Sequence, residues 1–130
     1  MFNKIILIMI VISSLYVRAH EGHNIVPGSL KANHGGIVQA GKEINLEYVI
    51  SGTEVKLYPL SHDGQDLTNT EVKLVAKTKL PKGQLEAIKL DVQGGVSVAK
   101  VDFKNAYRVE MNVEAEHQGK KSIFKFQVEK

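Results

Sequence analysis

Two segments near the C-terminus, AYRVEMNVEA and SIFKFQVEK, leave little choice of secondary structure. In the first, Tyr107, Val109, Met111 and Val113 recur at every second residue, with Arg108, Glu110, Asn112 and Glu114 between them. In the second, Phe124, Phe126 and Val128 repeat the pattern. A period of two places each apolar set on one face of a pleated strand, whereas a helix of 3.6 residues per turn would scatter it. EHQGKK, between them, carries the turn residues, so the pair reads as a half-buried antiparallel hairpin. His117, in that turn, is expected to be exposed.

The same period runs through the upstream sequence. KEINLEYVI sets Ile44, Leu46, Tyr48 and Ile50 on one face and Glu43, Asn45 and Glu47 on the other. EVKLYPL turns Val55 and Leu57 inward, and TEVKLVAK does the same with Val72, Leu74 and Ala76. GIVQA, QLEAIKLDV and VSVAKVDF are further candidate strands, and SGT, SHDGQD, LPKG and QGG supply turns. About seven short strands at roughly ten-residue spacing predict an all-β fold, an antiparallel β-sandwich of immunoglobulin-like kind. Its core would be the inward faces of two sheets about 10 Å apart. The sandwich is expected over residues 37–130, after an irregular arm over residues 20–36.

Residues 1–19 read differently. MFNK is a short basic start, IILIMIVISSLYV is an apolar run, and VRA ends it with residues a signal peptidase accepts at Val17 and Ala19. The run is too short and too interrupted, by Ser13, Ser14 and Arg18, for a spanning helix of roughly 20 apolar residues. The expectation is a cleaved signal peptide and a periplasmic protein that begins at His20, with no membrane attachment after cleavage. Setting aside Lys4 and Arg18 leaves 15 basic residues against 14 acidic. That near balance does not favour nucleic acid as a partner. The chain has no cysteine, which removes disulfides, thiolate metal sites and cysteine nucleophiles together.

Histidine is the residue with chemistry to offer. Cleavage before His20 would put an α-amine and an imidazole on one residue, a chelating pair that suits Cu(II) or Zn(II). The amine, with an ordinary pKa of about 7.7–8.0, yields its proton readily to a metal near neutrality. His23 lies three residues on, with Gly22 to let the arm curl. His34, in NHGGIV, and His62, in SHDG, fall in bends that a sandwich gathers at its ends, so His20, His23, His34 and His62 form the candidate metal set. Each bend also has a purely structural reading: Gly35 and Gly36 supply backbone freedom, and Asp63 and Gly64 make a turn. Met111, the one methionine beyond the leader, falls on the core face, which rules out a thioether site for Cu(I).

The stretch NHGGIVQAGKEINLEYVISGTEVKLYPLSHDGQDL resembles a segment of small exported bacterial β-sandwich domains and of periplasmic adaptor proteins of heavy-metal efflux systems. The matching residues are His34, Gly35, Gly36, Leu46, Tyr58, Asp63 and Gly64. The resemblance implies a periplasmic sandwich in the context of metal handling, with a role for His34, and brings no ligand set with it. A terminal histidine on a sandwich is also similar in chemistry to exported copper-resistance carriers.

Two functions follow as expectations. One is a non-catalytic periplasmic accessory protein that binds Cu(II) or Zn(II), working beside a metal-efflux or other envelope protein. The alternative is a metal-free sandwich that serves as an interaction module of the envelope. An enzyme has no residues to carry it: Gly-x-Ser-x-Gly and His-Glu-x-x-His are both absent, and 6% aromatics without tryptophan gives no substrate platform for a copper oxygenase. Folding is expected to need no metal, since the strands carry enough apolar residues to close a core.

Overall fold

The computed structural model describes residues 30–130. Among these residues nine strands form two antiparallel sheets, an all-β sandwich. One sheet runs β1 (Ile37–Ala40), β2 (Asn45–Ser51), β3 (Glu54–Leu60), β7 (Val96–Lys100) and β6 (Leu90–Gln93). The other runs β5 (Glu86–Ile88), β4 (Val72–Lys79), β8 (Arg108–His117) and β9 (Lys120–Glu129).

The count exceeds the expected seven partly because QLEAIKLDV is two strands, one in each sheet. β5 pairs with β4, β6 pairs with β7, and the chain crosses between them at Lys89. Ile88 and Leu90 both pack against the core across that switch, so the i, i+2 spacing that suggests one strand survives the change of sheet.

The β8–β9 hairpin forms as its alternation requires. Val109 faces Val128, Met111 faces Phe126 and Val113 faces Phe124, and all six are buried. Gln118 and Gly119 both have positive φ, 54° and 80°, the geometry of the two-residue turn that matches strand twist. His117 is therefore not in an exposed turn: it closes β8 opposite Lys120 and is half-buried. Tyr107 also departs from expectation, being 67% exposed. The chain bends at residues 102–106, and Val101 and Phe103 take the core positions at this end.

The two sheets meet through Tyr48 of β2 and Phe126 of β9, whose rings stack at 3.7 Å with 6° between their planes. Phe124 beside them is fully buried. Burial of one such side chain contributes about 1.5–3 kcal/mol. Burial also pushes the Tyr48 hydroxyl pKa up from its ordinary value. The contact reaches the β1–β2 turn, where a Cβ on Gly41 would sit 2.6 Å from Phe124 Cζ and 2.4 Å from the Ile44 carbonyl oxygen.

Outward faces differ between the sheets. On the β4–β8–β9 sheet Lys73 stands opposite Glu116 and Lys79 opposite Glu110, and Lys121 bonds Glu114 at 3.1 Å. That face is polar, solvated and largely self-neutralised. On the other sheet the polar face of β2 is not solvated: Asn45 is 4% exposed and Glu47 0%. The chain before β1 and the loop after β3 lie over it, and this covering builds the site.

Candidate functional site

The site begins with the carboxylate of Glu47. On β2 it stands opposite Tyr58 of β3, so both project from the same outward face. Water is replaced there by main-chain donors of the arm. The Asn33 N–H donates to Oε1 at 2.9 Å, and the His34 and Gly36 N–H groups donate to Oε2 at 2.7 and 2.8 Å. Three donors converge because Gly35 has φ +77°, which turns successive N–H groups into an anion-binding concavity. Gly36 contributes by what it lacks: a Cβ there would lie 2.3 Å from the Tyr48 carbonyl oxygen. His-Gly-Gly is thus a clasp on a buried carboxylate, with Gly35 there for its positive φ and Gly36 for close approach.

With its main chain held, the His34 ring lies on Tyr58, stacked at 3.8 Å with 11° between planes. Its Nε2 is 3.0 Å from Asp66 Oδ1 and 3.2 Å from Oδ2. A carboxylate only accepts, so with Asp66 ionised the hydrogen sits on Nε2. Asp66 is positioned in turn: it bridges to Leu60 at the end of β3, and Asn33 Nδ2 donates to the Gly64 carbonyl at 2.8 Å. The loop continues into a reciprocal pair. The Thr68 N–H donates to Glu71 Oε1 at 2.7 Å, and the Glu71 N–H donates to Thr68 Oγ1 at 3.2 Å. The Thr68 N–H, followed by its hydroxyl, holds the Glu71 carboxyl below its ordinary pKa.

Beside this rim opens a cleft of about 260 Å³. Leu57, Leu67, Leu74 and Val96 give it apolar walls, and His34, Tyr58 and Asp66 line one edge. It has the volume of one large side chain, with polar groups at the mouth, the usual composition of a recognition pocket.

Against the sequence expectations, the histidines separate. His34 belongs to the rim. His62 lies in the exposed turn after β3, with Nε2 3.1 Å from the Gly41 carbonyl oxygen, and ties that turn to the β1–β2 turn. His20 and His23 lie outside the described residues. Among the described residues no group of three or more His, Asp or Glu side chains is arranged to hold a metal. Asp66 and Glu47 carry the site and were not singled out by the sequence. Glu47 sits in a regular polar alternation identical to that of a solvated strand face. The available signal was the pair of glycines upstream, whose target no spacing rule identifies.

No family model matches the sequence, and no curated protein matches it. The fold has a counterpart in the crystal structure of a DUF4426 family protein from Pseudomonas aeruginosa PAO1. The TM-score is 0.57, the identity is 13%, and the match covers 72% of this chain and 96% of that one. The likeness is one of fold. It carries no residue roles across.

Proposed function

We propose that this chain is an exported, non-catalytic binding module of the cell envelope, which takes an apolar side chain of a partner protein into the cleft beside His34. The observation that carries the reading is the combination of an apolar cleft with a rigid polar rim. The rim is fixed by main-chain hydrogen bonds to Glu47, and so requires no ion to organise it. His34, Asp66 and Thr68 stand where they can pair with the partner's main chain once its side chain is inserted.

A metal role is the second reading. One observation favours it: an imidazole nitrogen and a carboxylate oxygen stand 3.0 Å apart at His34 and Asp66, which is half of a Zn(II) or Cu(II) site. His20 with its amine, and His23, would supply the rest.

One titration distinguishes the two. N-acetyl-phenylalaninamide is added at millimolar concentration to the 15N-labelled exported protein, and one equivalent of Zn(II) to a parallel sample. The binding-module reading expects amide shifts at Asn69, Gly95 and Ser97, lost in Leu74→Trp, which fills the cleft. Shifts of the His34 ring with Zn(II), and none in the cleft with the amide, would replace it by the metal reading.

A further inference from the structure

The opposite end of the sandwich carries a different surface. The loops after β4 and β7 enclose a depression of about 440 Å³, with Leu80, Pro81, Phe103 and Ala106 as its apolar part and Lys82 and Lys104 on its rim. Phe103, 4% exposed, forms a recessed floor. A second cavity of about 210 Å³ shares Leu80 and Pro81 and adds Lys79, Arg108 and Glu110. Among the described residues Lys79, Lys82, Lys104 and Arg108 have no carboxylate within 4.0 Å. Glu110 lines the second cavity beside Lys79 and Arg108, whereas no carboxylate lines the depression itself, so the charge of Lys82 and Lys104 is not offset there.

Lys104 adds a second and independent observation. It sits at φ +54°, in the left-handed region that favours glycine or asparagine. The turn that holds it there is built for the purpose: the Lys104 N–H donates to Asp102 Oδ1 at 3.0 Å, and the Ala106 N–H to the Phe103 carbonyl at 2.8 Å. Asparagine is next in sequence, at Asn105, yet lysine occupies the strained position. Gln118 holds the same φ in the β8–β9 turn, so the conformation itself is turn geometry; here it places a lysine on the rim of the depression.

We infer that this depression is a docking site for an acidic segment of a partner protein that inserts one apolar or aromatic side chain over Phe103 while its carboxylates meet Lys82, Lys104, Lys79 and Arg108. A bilayer surface is the poorer match for this feature, because the apolar part is recessed; lipid binding would use projecting side chains such as Leu85 and Tyr107, 47% and 67% exposed. The inference concerns the opposite end from the His34 cleft and stands or falls separately from it.

The test is fluorescence anisotropy of a labelled Glu-Asp-Glu-Trp-Glu-Asp peptide with the full exported protein. Saturable binding is expected, weakened as salt rises and the Debye length shortens. Replacing the peptide tryptophan by alanine, or making Lys82→Glu together with Lys104→Glu, should raise Kd at least about tenfold. Lys73→Glu with Lys77→Glu, on the sheet face, should leave it within about twofold. Lys104→Gly relieves the backbone and should not lower the melting temperature, yet it should weaken the peptide complex. The inference is overturned by an absence of saturable binding, by equal loss in the sheet-face variant, or by full affinity in Lys104→Gly. Phosphatidylglycerol vesicles that bind more tightly than the peptide, and are released by Leu85→Ser with Tyr107→Ser, would overturn it in favour of a lipid surface.

Discussion

Removing Glu47 gives a graded test of how the site is held. Its carboxylate is fully buried and accepts three main-chain N–H groups from the arm. A hydrogen bond to a charged acceptor contributes about 1.5–3 kcal/mol, so three would sum to roughly 4.5–9 kcal/mol if nothing else changed. Two terms oppose that sum. Burying the carboxylate costs several kcal/mol, which is recovered on deletion. The arm also opens to water, so its N–H groups are rehydrated instead of left orphaned. Glu47→Ala is therefore expected to lose about 2–4 kcal/mol. Glu47→Gln keeps one oxygen for the His34 and Gly36 pair but turns an NH₂ toward the Asn33 N–H, donor against donor. It should lose about 1–2 kcal/mol. Urea unfolding reads both, since a slope of about 1–2 kcal/mol per molar places the midpoints roughly 2 M and 1 M below that of the parent. Native-state amide exchange supplies the local reading: protection at Asn33, His34 and Gly36 should fall first and furthest. A loss below about 0.5 kcal/mol in Glu47→Ala with those amides still protected would refute the clasp. Equal losses in the alanine and glutamine variants would refute the assignment of donors to oxygens.

Other outcomes follow from the same geometry. Gly36→Ala forces a Cβ to within 2.3 Å of a backbone oxygen and should cost more than about 2 kcal/mol by thermal unfolding, whereas Gly35→Ala meets open space and should cost about 1 kcal/mol for its positive φ. Asn45 is buried with its Oδ1 unpartnered among the described residues, so the near-isosteric Asn45→Leu should raise stability by about 1 kcal/mol, and a fall would mean that Oδ1 has a partner. Glu71 has a lowered folded-state pKa, so its contribution is present above the ordinary carboxylate range and is lost as pH falls through the folded value. Carboxyl NMR should show Glu71 titrating below the solvated glutamates, and Thr68→Val should move it back up.

The β8–β9 hairpin was legible in the sequence down to its inward residues, because Val109, Met111, Val113, Phe124, Phe126 and Val128 obey a local rule, side-chain alternation, that needs no knowledge of the rest of the chain. Their pairing came from the structure. The same rule established the all-β class and the inward Leu46 and Tyr48 of β2 and Val55 and Leu57 of β3, but not Ile50, which shares their phase and is 36% exposed at the end of β2. It misplaced Tyr107, since a bend outside the strand breaks the phase. It merged β5 with β6, since crossing between sheets preserves the phase.

Glu47 marks the limit most clearly. Alternation determines that its side chain points away from Leu46 and Tyr48, but whether water or protein lies on that side depends on where residues 31–36 run. That path is set by three hydrogen bonds across 11 to 14 residues and by the absence of a Cβ at Gly36. His34 and His62 show the same division: sequence identifies two histidines in bends, while only the folded chain decides that one stacks on Tyr58 beside Asp66 and the other meets the carbonyl of Gly41. Periodicity is a property of neighbours along the chain and survives in the sequence. Convergence is a property of distant segments, and it exists only once the sheets have packed.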